Sequence, residues 1–329
     1  MKRSSSAPVG RPHSPASSTT SEVLCVGEVL WDSLPEGLFL GGAPFNVACH
    51  LRAAGTPVSM VSRVGDDRLG DEVLRRATRY GVGVDLMQVD AALPTGFVRV
   101  RVDERGNGNY EICEPAAWDA IEATETLFAR AARARAIVFG SLAQRNVVSR
   151  ATLERLWSVA ADALMVFDVN LRPPYEDADV AQRSLEHADV VKISSAELVR
   201  LSEWFGWKGS EPSRMRMLSE QFGCGVVCVT RGGEGAALLH DGAFTEHPGF
   251  PAEVRDTVGA GDAFLAVLLS GLLAGHSDAE LLQHANLMGA YVVTQFGALP
   301  ADQGAAMSPP EAPAPPPRKR ARVVKRRGA

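Results

Sequence analysis

Short, continuous runs of apolar residues, separated by helical segments, are the feature that most limits how this chain can fold. Examples are AIVFG (136–140), LMVFDV (164–169) and GVVCV (225–229), and EVLCVGEV (22–29) predicts a further strand. Strands with so little polar alternation are typical of a parallel sheet that helices cover on both faces. The sequence therefore predicts an α/β protein of three layers with a central, mostly parallel sheet.

Helical patterns fill the spaces between these strands. PFNVACHLRAAG (44–55) predicts a helix closed by Gly55, and the last two helices are expected at 262–274 and 278–296. The longest apolar run, residues 263–274, is shorter than the roughly 20 residues that a membrane span requires. We therefore interpret it as a core helix.

The two ends of the chain differ from the rest in composition. Residues 1–21 are rich in Ser and Pro and have no hydrophobic pattern, which predicts a disordered tail. Residues 301–329 are rich in Pro and end in the basic cluster RKRARVVKRR, which predicts a second disordered tail. This cluster could contact nucleic acid, act as a nuclear address, or have no dedicated role. Residues 22–300 are expected to form one domain.

Charge and cysteine usage narrow the function classes. The net charge is −5 although both tails are basic, so the body between them is strongly acidic and unsuited to nonspecific nucleic-acid binding. No apolar segment of a secretion signal follows the basic start, and we expect a cytoplasmic protein. Five cysteines without zinc spacing are expected to be reduced thiols, mostly in the core: Cys25, Cys49, Cys113, Cys224 and Cys228.

One segment interrupts the α/β alternation. TGFVRVRVDERGNGNYEIC (95–113) alternates with period two and contains a turn sequence at 106–108, which predicts an antiparallel hairpin. A hairpin that projects from an α/β body could close over a ligand and exclude water, so we predict a lid at about 94–115 with part of 30–43. The alternative is an ornament at the sheet edge.

The stretch DTVGAGDAF (256–264) combines a glycine turn with an acid at the start of a helix. Backbone N–H groups of Gly259, Ala260 and Gly261 could converge on one anion, and Asp262 follows at the positive end of the helix dipole. Asp262 could also be a simple helix cap. Because the helix is apolar on nearly all sides, we expect its start to lie deep, and this favours a functional carboxylate.

Three further polar clusters follow predicted strands, where ligands bind in open α/β sheets: Asp32, GGAPFN (41–46) and TRGGEG (230–235). Neither the P-loop pattern G-x-x-x-x-G-K-[ST] nor a G-x-G-x-x-G after a strand occurs. The motifs therefore support neither a P-loop nucleotidase nor a Rossmann dehydrogenase.

GGAPFNVACHLRAAG (41–55) and DTVGAGDAFLAVLLSGLL (256–273) resemble the two signature regions of the ribokinase-like carbohydrate kinases, the PfkB family. Within that family GEVLWD (27–32), AWDAI (117–121) and FGSLAQR (139–145) resemble bacterial fructokinases. The resemblance implies a three-layer ribokinase-like fold with a small β lid and ATP- and Mg²⁺-dependent phosphorylation of fructose to fructose 6-phosphate. Alternatives are a kinase for another sugar or sugar acid, such as ribose or 2-keto-3-deoxygluconate, and a non-catalytic sugar-binding regulator.

The resemblance also assigns roles to residues. It implies that Asp262 is the catalytic base and that the amides of Gly259, Ala260 and Gly261 stabilise the transferred phosphoryl group. It implies a sugar site of six residues: Asp32, Gly41, Gly42, Asn46, Asn170 and Arg172. It implies a nucleotide site of five residues: Lys192, Thr230, Gly232, Gly235 and Asn286. Lys192 could equally be the end of an amphipathic strand.

Metal sites and partners follow from the same resemblance. Glu197 in KISSAEL (192–198) matches a glutamate that organises Mg²⁺ through water, but Ser194 replaces the usual asparagine, whose role its hydroxyl could take over. Asp256 and Val258 match a site for a monovalent cation such as K⁺ in some relatives. Hairpins of related proteins often pair across a dimer, and we expect the apolar side chains of Phe97 and Val98 to be exposed, which permits a homodimer here but does not demand it.

Overall fold

The computed structural model describes residues 22–34, 37–102 and 108–299. The strands in these ranges are β1 (Val23–Val26), β2 (Leu30–Leu34), β3 (Gly37–Gly41), β4 (Val58–Gly65), β5 (Met87–Asp90), β6 (Gly96–Val102), β7 (Gly108–Ile112), β8 (Ala136–Gly140), β9 (Leu164–Asp168), β10 (Val190–Ser194), β11 (Val226–Thr230), β12 (Ala236–His240) and β13 (Ala243–His247). The helices are α1 (Ala43–Ala53), α2 (Arg68–Arg79), α3 (Glu125–Ala131), α4 (Val147–Val159), α5 (Ala178–Leu185), α6 (Ser195–Phe205), α7 (Glu211–Phe222), α8 (Ala260–Ala274) and α9 (Asp278–Val292). Both predicted tails, 1–21 and 301–329, lie outside the described residues.

Nine strands form the central sheet in the order β13-β12-β11-β10-β9-β8-β1-β4-β5. Every neighbouring pair from β11 to β5 is parallel, as predicted. The last two pairings, β11 with β12 and β12 with β13, are antiparallel. Only residues 231–235 join β11 to β12, and so short a connection cannot carry the crossover that a parallel pair needs.

Each central strand is buried on both faces. On β1, Val23 and Cys25 pack in one core cluster, and Leu24 and Val26 pack in the other. The first cluster contains residues of α1, α2, α8 and α9, and the second contains residues of α3 to α7. The three-layer α/β prediction is therefore confirmed, and the two-sided burial explains why these strands lack alternation.

A separate, smaller sheet has the strand order β3-β2-β6-β7. The hairpin predicted at 95–113 is present as the antiparallel pair β6 and β7, and β2 joins it through a parallel pairing with β6. The turn residues 106 and 107 lie outside the described ranges. Because the hairpin belongs to a four-stranded sheet of its own, it is not an edge ornament of the central sheet.

Two local predictions were wrong. The strand predicted at 22–29 ends at Val26, because Gly27 adopts a φ of 146° and redirects the chain into β2 of the smaller sheet. Phe97 and Val98 are not free apolar side chains, since Val98 is buried and Phe97 packs against the main core. Of the two, only Phe97 leaves some apolar surface accessible for a dimer contact.

Four of the five cysteines are buried and all five are free thiols, as predicted; Cys113 is half-buried. The last two helices are close to the predicted ones and begin at Ala260 and Asp278. No helix in the described ranges combines the length and apolar character needed to cross a membrane.

Candidate active site

The side chains of Asn46 and Asp262 meet between α1 and α8. Nδ2 of Asn46 donates a hydrogen bond of 2.7 Å to Oδ2 of Asp262. Asn46 is buried, and its Oδ1 atom has no hydrogen-bond partner. Asp262 does not cap its own helix, because the cap position is Gly259 and no side chain bonds there. The carboxylate is therefore held by an amide from the facing helix.

The expectation that Asp262 lies deep was wrong. The body of α8 is buried, but Gly261 and Asp262 are only half-buried, so the first turn opens at the edge of the sheet. Gly259 has a φ of 77°, and a Cβ there would overlap Ala298. The turn can therefore form only with glycine at this position, and its amides remain near an open surface.

Lys192 reaches the same turn from β10. A Cβ on Gly261 would lie 2.9 Å from Nζ of Lys192, and this Nζ is 3.0 Å from Oδ1 of Asp168 on β9. Burial opposes the charge on Lys192, but Asp168, Asp262 and Glu197 together raise its pKa. Burial raises the pKa of Asp168, and the charge of Lys192 opposes this rise by favouring the ionised carboxylate. A fixed positive charge thus lies beside the glycine turn.

The sugar-site residues of the two sheets also converge. Asp32 lies on β2, and a Cβ on Gly41 would be 2.9 Å from its Oδ2 and 4.0 Å from Oδ1 of Asn46. Burial raises the pKa of Asp32 to about 6, with Arg172 opposing the rise and Asp256 adding to it. The bare backbone of Gly41 therefore leaves space between an acid and an amide, beside Asp262.

The loop after β9 supplies the other two predicted sugar-site residues. Asn170 has a left-handed φ of 39°, and its carbonyl oxygen accepts a hydrogen bond from Ser141. Arg172 is exposed and acts electrostatically on both Asp32 and Glu28. The structure thus brings the guanidinium to the acidic side of the site.

The loop after β11 carries three of the predicted nucleotide-site residues. Thr230 is in register with Ser194 on the neighbouring strand, and the amide of Arg231 bonds the carbonyl of Gly235 across the loop. A cavity of about 450 Å³ adjoins the loop and is lined by Ser195, Glu211, Arg231, Glu234, Glu246, His247 and Pro248. Asn286 is elsewhere, on α9, where it is buried and donates to the carbonyl of Leu282 in its own helix.

Ser194 and Glu197 form the N-terminal cap of α6. Oε2 of Glu197 accepts hydrogen bonds from the amide and hydroxyl of Ser194, both at 2.8 Å. Its Oε1 accepts the amide of Leu171 at 2.8 Å, which ties the cap to the loop that carries Arg172. The Ser194 hydroxyl, which we expected to face a metal-bound water, is therefore engaged with Glu197.

Few side chains of the described residues are grouped so that they could bind a cation. Within the described ranges no group of three or more His, Cys, Asp or Glu side chains could hold a metal ion. This donor set fits Mg²⁺ bound mainly by phosphates and waters, since Mg²⁺ commonly takes only one or two carboxylates from the protein. Asp256 accepts the amides of Val258 and Gly297, so the loop predicted to hold a monovalent cation is closed around this acid.

Sequence reasoning missed two acids. Asp168 appears in the strand end DVNLR, but nothing in the sequence indicates that it pairs with Lys192 of the next strand. Glu28 appears in GEVLWD and is buried beside the acceptor site. An acid directly after a continuous apolar strand was the available signal in both cases.

The half-buried acid, the glycine turn and the buried lysine together form an arrangement that suits the transfer of a phosphoryl group to an alcohol. Comparisons with known proteins agree. The pfkB family carbohydrate kinase model matches residues 37–303, and the chain belongs to this family. It is a carbohydrate kinase, as the resemblance of its signature regions predicted.

The relatives include several fructokinases. The fructokinase of Klebsiella pneumoniae is 31% identical over 299 residues, which cover 85% of this chain and 95% of that protein. The structure of Xylella fastidiosa fructokinase with bound ATP aligns with a TM-score of 0.75 at 26% identity, covering 86% of this chain and 96% of that one. A Vibrio cholerae fructokinase variant in a fructose-, ADP- and potassium-bound form aligns with a TM-score of 0.74 at 25% identity, covering 88% and 96%.

Proposed function

We propose that this carbohydrate kinase transfers the γ-phosphate of ATP to fructose and releases fructose 6-phosphate and ADP. The observation that carries the proposal is the contact between Asn46 and Asp262 next to Gly41 and Asp32. This contact places the proton acceptor, Asp262, next to side-chain oxygen atoms that can bind the hydroxyl groups of a polyol. The fructokinases among the relatives supply the choice of fructose.

Asp262 is the proposed catalytic base. Asn46 occupies one lone pair of its Oδ2, which fixes the carboxylate and leaves the remaining lone pairs for the proton of the attacking hydroxyl. Because phosphoryl transfer has a loose transition state, positioning and charge neutralisation matter more than a strong base. A half-buried aspartate is sufficient for this role.

Charge that develops on the phosphoryl oxygens would be met by two features of this chain. One is the first turn of α8, where the amides of Gly259, Ala260 and Gly261 lie at the positive end of the helix dipole. The other is Lys192, whose ammonium lies beside Gly261. Both are fixed before the reaction, so neither has to reorganise as charge moves.

The sugar would lie between Asp32 and Asn46. Asp32 accepts hydrogen bonds from adjacent hydroxyls, and Asn46, whose buried Oδ1 has no partner, borders the same space. Gly41 and Gly42 leave room for the ring, and Asn170 and Arg172 border the site from the loop after β9. A sugar that lacks one matching hydroxyl would lose a few contacts, each worth about 1–3 kcal/mol.

The nucleotide would lie along the loop after β11, against Thr230, Gly232 and Gly235, and Asn286 on α9 is the fifth proposed nucleotide contact. Mg²⁺, when bound, neutralises charge on the phosphates, and Glu197 would hold it through water. Asp256 and Val258 are the proposed contacts of K⁺. The Vibrio cholerae fructokinase structure, in a form with bound fructose, ADP and potassium ion, supports these choices by similarity.

The decisive experiment is ATP turnover of the purified protein with fructose, ribose, mannose, glucose and 2-keto-3-deoxygluconate, with NMR of the product. We expect the highest kcat/KM with fructose and a phosphate on O6. A clear preference for another substrate would replace fructose by that sugar. Tight sugar binding by calorimetry without turnover would identify a binding protein instead.

Self-association through the small sheet is a separate proposal. Its supporting observation is Leu38 on β3, which is 47% exposed. Light scattering at low protein concentration tests it: a mass of two chains that falls to one in Leu38→Lys is expected. A monomer mass for the wild type would exclude a stable dimer.

A further inference from the structure

Glu28 is a buried acid that the proposed reaction does not use. It lies between β1 and β2, is only 3% exposed, and its Oε2 atom has no hydrogen-bond partner. Burial of a carboxyl group without full compensation costs several kcal/mol, whereas an apolar residue would fill the same space at no such cost. Stability alone therefore does not explain an acid at this position.

The backbone around Glu28 is packed directly beneath the first turn of α1. A Cβ on Gly42, the cap residue of α1, would lie 2.5 Å from the carbonyl oxygen of Glu28. A Cβ on Gly27 would lie 2.8 Å from Cγ of Pro44. Both glycines thus allow a close approach that residues with side chains would prevent, and the helix start rests on Glu28.

The carboxyl group of Glu28 also complements this helix start. No side chain of its own segment caps α1, because the cap residue is Gly42. The backbone amide of Ala43, one of the unpaired donors of the first turn, acts on the Glu28 carboxyl and lowers its pKa. The negative charge of Glu28, in the connection between β1 and β2, therefore complements the positive end of α1.

The same carboxyl group is electrostatically linked to the two other sides of the site. Arg172, in the loop after β9, favours its charged form, and Asp262 on α8 opposes it. Asn46 lies in the turn of α1 that Glu28 supports, and it holds Asp262 at 2.7 Å. Glu28 is thus placed where a change in its charge would alter the position of the acceptor-binding groups.

We propose that Glu28 is a positioning residue of the acceptor site, whose ionised carboxyl holds the first turn of α1, and with it Asn46, against Asp262 and draws in Arg172. The inference rests on the proposed function, because it concerns how the sugar site is assembled. Glu28 touches neither the sugar nor the phosphate in this proposal and acts only through Asn46 and Arg172.

A consequence is that sugar affinity should depend on pH near neutrality. Burial, opposed by the backbone amides of Glu28 and Ala43 and by Arg172, raises the pKa of Glu28 to about 7. Protonation below that pH removes the charge that attracts Arg172 and the helix start, so KM for the sugar should rise as pH falls from 8 to 6. The other charged groups that face this region are Asp32, Asp262 and His50 on α1; burial lowers the pKa of His50 and raises that of Asp32 to about 6.

The test compares Glu28→Gln with Glu22→Gln. Glu22 precedes the opposite end of β1, pairs with Arg130 and lies away from the site, which makes it a matched control. We expect Glu28→Gln to raise KM for the sugar about tenfold at pH 8 and to make it independent of pH from 7 to 8, above the range in which Asp32 titrates. KM for ATP should stay within about threefold, and Glu22→Gln should keep the wild-type profile.

Glu28→Asp keeps a carboxyl group at this position and should keep the pH dependence of KM. This variant also provides a test if Glu28→Gln does not fold. A wild-type KM and pH profile in Glu28→Gln, or a pH-independent KM in Glu28→Asp, would overturn the inference. Asp262→Asn separates this outcome from failure of the proposed function: an active wild type with inactive Asp262→Asn keeps the function. A wild type that phosphorylates no sugar overturns both.

Discussion

Nδ2 of Asn46 lies 2.7 Å from Oδ2 of Asp262, so that one helix supplies the orienting amide and another supplies the acid. This contact joins two segments that are 216 residues apart. We expect Asp262→Asn to lower kcat by about 10²–10⁴, the usual contribution of a general base, with little change in sugar affinity. Steady-state kinetics and calorimetric sugar titration measure the two effects. Full-speed turnover in this variant would exclude Asp262 as the base.

Asn46→Asp places a second carboxylate where the amide now donates. Two carboxylates at this distance cannot both ionise readily, so one of them retains a proton at neutral pH. We expect kcat at pH 7 to fall at least about tenfold and to recover partly toward pH 9, where the second proton is lost. The pH profile of kcat provides the measurement, with Asn46→Ala as the uncharged control. A parallel profile in both variants would show that the pair is not coupled.

Substitutions of Lys192 and Asp168 should have coupled effects on the free energy of unfolding but not on kcat. Lys192→Met leaves a buried acid without its partner, and we expect a loss of about 3–5 kcal/mol in the free energy of unfolding. Adding Asp168→Asn should recover most of this loss, because the unpaired charge is gone. The double variant should still be at least about a hundredfold slower in kcat, since the cation beside Gly261 is missing. Denaturant unfolding and ATP turnover distinguish these effects; recovery of kcat in the double variant would exclude a catalytic role for Lys192.

Gly41→Ala tests the space between Asp32 and Asn46. The added Cβ would lie 2.9 Å from Oδ2 of Asp32, so the acid must move from the position that receives the sugar. We expect KM for the sugar to rise about tenfold or more while KM for ATP stays unchanged. Gly225→Ala is the control, because its Cβ meets only an ordinary contact of 3.4 Å at the far end of β11. Equal sugar kinetics in the two variants would place the acceptor elsewhere.

The central sheet could be predicted from sequence because strands that are buried on both faces consist almost entirely of apolar residues. Every side chain of β1 lies in a core cluster, and the strand reads VLCV. The hairpin of β6 and β7 was equally visible through its alternation. In contrast, the end of β1 at Val26 follows from the φ of 146° at Gly27, where a Cβ would lie 2.8 Å from Cγ of Pro44, a residue distant in sequence. Local patterns do not contain that information.

The sequence indicated which residues could form the candidate site, but it did not indicate how their side chains contact one another. Strand ends and glycine turns indicated Asp32, Asn46 and Asp262, because ligands in α/β sheets bind at that edge. The bond between Asn46 and Asp262 and the ion pair of Lys192 with Asp168 arise from tertiary packing. The exposure of Asp262 was misjudged for the same reason: an apolar helix can open its first turn to a cleft.

Asp32 should reduce the stability of the fold at neutral pH although it contributes to sugar binding. Burial raises its pKa to about 6 from the usual value of 3.8, so the folded state binds the proton more tightly than the unfolded chain does. This contribution is favourable at low pH and is lost as pH rises from about 4 to 6. Asp32→Asn should therefore raise the free energy of unfolding by about 1–2 kcal/mol at pH 7, after allowance for partial exposure, and by little at pH 4. The same variant should raise KM for the sugar at least about tenfold, because the acceptor of the adjacent hydroxyls is gone. Thermal melts at both pH values test the effect on stability, and sugar kinetics test the effect on KM. If the gain in stability of Asp32→Asn over the wild type were smaller at pH 7 than at pH 4, the unfavourable burial of Asp32 would be contradicted.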